Sequence, residues 1–178
     1  MRFRGGSEAS CLSPPTPDKD HRMTDTINSR LEKLGISLPE AAAPAANYLP
    51  FAVSGNLVFT AGQLPLENGG LAAKGRVGSD LDVAAAQKAA RLCAINVLAQ
   101  AKAAVGDLER IARVVKITVF VASEPDFTQQ HLVANGASDL LVEVLGKAGK
   151  HARSAVGVAA LPLDAAVEVE AVFEIAGN

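Results

Sequence analysis

The sequence predicts an α+β domain, and three observations carry that expectation. Two stretches with helical spacing, 80–105 and 129–145, alternate with stretches rich in β-branched residues; glycines close both of them; and the chain ends in two short apolar runs. The predicted order is β-β-(β)-α-β-α-β-β after a leading helix, which favours helices packed on one face of a mixed sheet.

The elements follow in order. Ile27, Leu31 and Leu34 recur at helical spacing, with Thr24 or Asp25 available as N-cap and Gly35 as the stop, so a short amphipathic helix is expected. Residues 39–46 (PEAAAPAA) form an irregular connection, and the runs 48–54 and 57–63, separated by Gly55-Asn56, predict a β-hairpin. Residues 65–78 are broken by glycine and proline and allow only a brief strand near 71–74. The stretch 80–105 is dense in alanine, so its helix can approach a sheet or another helix closely; Gln87, Lys88, Arg91 and Lys102 mark its exposed face. Residues 110–123 (RIARVVKITVFVAS) read as a central strand.

Composition limits the function classes. At 178 residues and 49% hydrophobic content, one core is the expected organisation. Seventeen basic residues are scattered among nineteen acidic ones, and tryptophan is absent, so neither a phosphate-binding surface nor a base-stacking platform is visible. Nucleic acid is a poor partner on this count. No apolar run is long enough to span a membrane. Residues 1–22 carry no hydrophobic period and no secretory h-region, so they are expected to be a disordered extension ahead of a domain over 23–178. Cys11 and Cys93 show no metal-ligand spacing, and a reducing cytoplasm is the expected compartment. Cys93, among alanines, reads as a small buried hydrophobe.

The segment 151–175 (HARSAVGVAALPLDAAVEVEAVFEI) is the richest in chemistry. Arg153 is a permanent cation whose planar donor fork suits a carboxylate, or pairs with an acidic residue across a subunit interface. Glu168 alternates with apolar neighbours, as Glu170 and Glu174 do, which fits either a site or a solvated strand face. Tyr48 is the sole tyrosine, and packing explains it as readily as a contact to ligand. Asn135 fits a surface helix position, and His131 and His151 read as mobile surface histidines rather than a metal pair. A reversal near Ala160-Leu161 would set Arg153 opposite Glu168, whereas a turn at Leu163-Asp164 would not.

Four motifs resemble the Rid family, also called YjgF or L-PSP endoribonuclease-like: Tyr48 with Gly55-Asn56 and Gly62-Gln63-Leu64-Pro65; the strand Lys116-Ile-Thr-Val-Phe-Val121 with Asp126-Phe127; Asn135; and Arg153 with Glu168. The resemblance implies a chorismate mutase-like, homotrimeric fold with clefts between subunits. It also implies hydrolysis of a 2-imino acid to a 2-keto acid and ammonia without metal or cofactor. Arg153 would grip the substrate carboxylate and Glu168 would hold or deprotonate the water, with Tyr48, Gly62 and Asn135 contacting substrate. Ala155 stands where many members carry cysteine, and Ala61 where many carry serine. A non-catalytic module binding a small carboxylate or a partner is the alternative, and an endoribonuclease fits less well.

Overall fold

The computed structural model describes residues 26–43 and 47–177. The leader expectation and Cys11 lie outside those residues. The first helix, α1 (Ile27–Lys33), is capped by Thr26, whose hydroxyl accepts from the Ser29 amide, and Gly35 follows its end at φ 66°. The cap therefore falls one or two residues later than Thr24 or Asp25. Ile27 and Leu31 are buried, whereas Leu34 is exposed.

Strands β1 (Phe51–Ser54) and β2 (Leu57–Thr60) form the expected hairpin about Gly55-Asn56. In place of one brief strand, residues 66–71 form a small separate hairpin, β3 (Leu66–Glu67) and β4 (Gly70–Leu71). Helix α2 (Val83–Val105) begins at Asp82, whose carboxylate caps the Ala85 amide at 2.7 Å, and Gly106 ends it. Asp80 belongs instead to the preceding turn, where it accepts from the Arg76 amide. The long strand β5 (Ile111–Ala122) follows. The stretch expected as one helix is two, α3 (Gln130–Val133) and α4 (Asn135–Leu145), offset at Ala134. Two strands, β6 (Ala152–Val158) and β7 (Val167–Ile175), complete the described chain.

The main sheet runs β1-β2-β7-β5-β6. Only β5 and β6 are parallel, because the helical segment between them carries the chain back to the same end of the sheet. The mixed sheet and the α+β class thus agree with the sequence. Val58, Ile117, Val119, Val167, Val169, Ala171 and Phe173 form the face buried beneath α2 and α4. Alanines at 86, 89, 90, 94 and 101 line the buried side of α2, and small residues let the two helices approach to backbone contact. At Gly136 a Cβ would lie 2.0 Å from the Gln87 carbonyl oxygen. Gln87 is accordingly half-buried and donates to the Leu132 carbonyl at 2.8 Å, which removes it from the exposed face assigned from the sequence.

The opposite face of the sheet carries Phe59, Thr118, Phe120, Val156, Glu168, Glu170 and Val172, with Phe59 and Val156 still 41% and 42% exposed. Among the described residues no helix covers it.

Candidate functional site

One half of the candidate site is built by a bulge in β2. Phe59 lies opposite Val172 and Gln63 opposite Val169, so the β2 side uses one residue more than β7 over the same span. Thr60 fills the gap in the ladder: its buried hydroxyl accepts from the Ala171 amide at 3.0 Å and lies 3.4 Å from the Ala171 carbonyl. The extra residue swings Gly62 over the Glu168 carboxylate, where a Cβ would lie 1.7 Å from Oε1. Only glycine fits this approach without moving the acid. Gln63 holds the loop, its amide donating to the carbonyls of Ala61 at 3.0 Å and Gly62 at 3.1 Å while its oxygen accepts from Gln100.

Glu168 stands on the open face of β7 between the buried Val167 and Val169. Burial raises its carboxyl above the usual range, and the neighbouring Glu170 charge adds to the effect. No hydrogen bond reaches this carboxylate among the described residues. A carboxylate so placed is a stronger base than an exposed one and is free to engage a water or a ligand.

Arg153 forms the other half. It lies on the edge strand β6 opposite Ile117 and turns toward the helices. Its Nη1 donates to Asn135 Oδ1 at 2.9 Å and Ser138 Oγ at 3.0 Å, and its Nη2 donates to the His131 carbonyl at 3.1 Å. Of five guanidinium N–H groups, Nε and one Nη2 hydrogen remain without a partner among the described residues. The side chain is exposed, so these two donors are open to a ligand. Behind it, His151 Nε2 lies 3.0 Å from Ser138 Oγ and Nδ1 lies 2.6 Å from the Gly149 carbonyl oxygen. Burial lowers the His151 pKa, the Gly149 contact opposes that shift, and the Arg153 charge adds to it, so the ring is neutral at pH 7. His151 is therefore a half-buried, doubly bonded group and not a mobile surface histidine.

The structure brings together Arg153 with Asn135, and Gly62 with Glu168. It does not bring Arg153 to Glu168 within one chain. Strand β5 lies between β6 and β7, so no reversal at Ala160-Leu161 pairs them, and positive φ angles at Leu163 and Asp164 mark where the connection turns. Glu168 is level with Phe120 and Arg153 with Ile117, which puts their Cα atoms two strand spacings and three residues apart, roughly 14 Å. The side chains also leave opposite faces of the sheet. Tyr48 is 52% exposed on the lead-in to β1, with no hydrogen bond to either half among the described residues.

Ser138, Thr60 and Gln100 were not singled out from the sequence, and Gln63 entered only as part of the Gly62-Gln63-Leu64-Pro65 motif. Asn96 and Gln100, one turn apart on α2 with Ala99 between them, break an otherwise apolar surface, and that is the signal that could have revealed the buried polar support of the Gly62 loop. Cys93 is fully buried, its thiol directed at the Val167 carbonyl, and burial pushes its pKa well up, so it is not a nucleophile.

Residues 28–175 match the family described as "YjgF/chorismate_mutase-like, putative endoribonuclease". The chain belongs to this family. It is 52% identical over 150 residues to Protein TCP17 of Trypanosoma cruzi, covering 84% of this chain and 94% of that one. The crystal structure of the protein Atu1372 from Agrobacterium tumefaciens is 57% identical, covers 86% of this chain and 95% of its own, and superposes with a TM-score of 0.81. The crystal structure of E. coli TdcF with bound serine is 31% identical, covers 78% of this chain and 93% of its own, and gives a TM-score of 0.51. Family membership and the fold are shared with these relatives. The two half-sites above are the features of this family member that carry recognisable chemistry, a fixed cation with free donors and an unpaired base.

Proposed function

We propose that this protein hydrolyses reactive 2-imino or enamine acids to 2-keto acids and ammonia, with no metal or cofactor, in a site completed between copies of a homotrimer. The observation that carries the reading is the fixed Arg153 guanidinium, which leaves two donors for a substrate carboxylate. A protonated imine is already electrophilic, so a held carboxylate and one polarised water suffice for acceleration. Glu168, with its raised carboxyl, is the group to take a proton from that water as it attacks the C=N carbon. Gly62 keeps the space beside Glu168 open, Asn135 orients Arg153, and Tyr48 offers a hydroxyl to the cleft. The bound serine of E. coli TdcF, an amino acid with a free carboxylate, is consistent with such a ligand class.

The separation of Arg153 from Glu168 supports assembly between chains, and the uncovered sheet face with Phe59 and Val156 offers the surface for it. An endoribonuclease is the weaker reading, because acidic residues outnumber basic ones and no basic stripe crosses the chain.

The test is ammonia release from a freshly generated 2-imino acid, measured above the spontaneous rate. Wild type should accelerate it without added metal, and Arg153→Ala or Arg153→Lys should suppress it, since neither restores the fork. Arg153→Ala and Glu168→Gln chains mixed as unfolded protein and refolded together should recover about a quarter of the wild-type rate, the share of interfaces holding one intact residue from each copy. No recovery removes the intersubunit site; equal rates for wild type and Arg153→Ala, both at the buffer rate, remove the deaminase and leave a binding module.

A further inference from the structure

The polarity of the hydrogen bonds behind Arg153 can be read from one fixed end. The Gly149 carbonyl can only accept, so His151 Nδ1, 2.6 Å away, must carry the proton. In a neutral ring Nε2 is then an acceptor, and the Ser138 hydroxyl 3.0 Å away donates its single proton there. With that proton committed, Ser138 presents only lone pairs to Arg153 Nη1 at 3.0 Å. Each bond thus dictates the direction of the next. A serine hydroxyl without such a partner turns freely and can bond to the carbonyl one helical turn back, here Ala134.

We propose that Ser138 is a positioning residue for Arg153, its hydroxyl directed by His151, and that together they hold the guanidinium in the orientation that receives a carboxylate. The clamp has three fixed walls: Asn135 and Ser138 from α4, and the His131 carbonyl from α3. Ser138 alone among them is tied to a further group whose protonation state matters. The charged or titratable groups on the elements around His151 are Arg113 and Lys116 on β5, His131 on α3, Asp139 and Glu143 on α4, Lys147 and Lys150 at the turn before β6, and Arg153 itself. Arg153 is the charge that acts on the ring, disfavouring the imidazolium and so preserving the neutral tautomer the chain of bonds requires.

This inference rests on the carboxylate role of Arg153, and the experiment separates the two. The first readout needs no ligand: the Nη resonances of Arg153 in 15N NMR, which rotation broadens in a free guanidinium and a clamp sharpens. They should be resolved in wild type and in His151→Gln, whose amide oxygen can still accept from Ser138. They should broaden in Ser138→Ala and in His151→Leu. The second readout is pyruvate affinity at pH 7.5, expected to fall about tenfold to a hundredfold in Ser138→Ala, the worth of one hydrogen bond to a charged group. The Ser138→Ala/His151→Leu double variant should be no worse than Ser138→Ala alone, because both act through one bond. Unchanged Arg153 resonances in Ser138→Ala overturn the proposal whether or not pyruvate binds. Resonances that respond as expected in a wild-type protein that does not bind pyruvate support the clamp and defeat the substrate reading instead.

Discussion

Replacing Gly62 by alanine separates the chemistry of this site from its stability. The new Cβ would fall 1.7 Å from Glu168 Oε1, 2.7 Å from Cδ and 3.0 Å from Cγ. Ordinary contact requires the carboxylate to retreat by roughly 1.5–2 Å. Its atoms are the far end of a flexible side chain on an uncovered face, so the retreat costs only a changed rotamer, about 0.5–1.5 kcal/mol. Gly62 does not have positive φ, and alanine restricts the unfolded chain, which returns about 0.4–1 kcal/mol. The net change is within about 1 kcal/mol, or roughly 2–4 °C in Tm for a chain of this size. Turnover should respond far more, because a reacting group misplaced by about 1 Å costs on the order of 100-fold. Thermal melting and ammonia release on the same preparation measure both quantities. Full turnover in Gly62→Ala would show that Glu168 does not act from the position it occupies beneath this glycine, and the general-base assignment would fall.

The same substitution at Gly136 should behave in the opposite way, since its Cβ would meet the Gln87 carbonyl at 2.0 Å and the Gln87 carbonyl carbon at 2.8 Å, atoms of a helix backbone that cannot rotate away. Overpacking there should cost about 3 kcal/mol, lowering Tm by roughly 6–12 °C, and a melt within 2 °C of wild type would contradict the close contact of α2 with α4. His151 gives a pH-dependent prediction. Its folded pKa lies below its unfolded value near 6.5, so its contribution to stability is complete above that pH and is lost as pH falls through the lower folded value. Denaturant melts of wild type and His151→Gln across pH 7.5 to 4.5 should therefore diverge as the buffer is acidified, wild type losing more; parallel curves would show the ring to be solvated.

The fold was legible because its signals are local. The Gly55-Asn56 turn, the alanine-rich α2 with Asp82 and Gly106 at its ends, and the β-branched run of β5 each declare themselves within a dozen or so residues. What the sequence hid is strand order: β6 and β7 are neighbours in the chain, yet β5 lies between them in the sheet, and no local signal between residues 158 and 167 reports this. The site inherits that difficulty. Arg153 and Glu168 could be marked as the candidate pair from their motifs, but their partners come from elsewhere: Glu168 is shaped by a bulge more than a hundred residues earlier, and Arg153 by two residues of a helix on the far side of a parallel crossover. Ser138 is the clearest case. As a lone serine in an amphipathic helix it carries no pattern, and its meaning depends on a histidine whose tautomer is fixed by a carbonyl two residues away from it. A short-range bond thus sets the state of a long-range one. That ordering explains why His151→Leu, at a residue with no hydrogen bond to Arg153, is expected to loosen it.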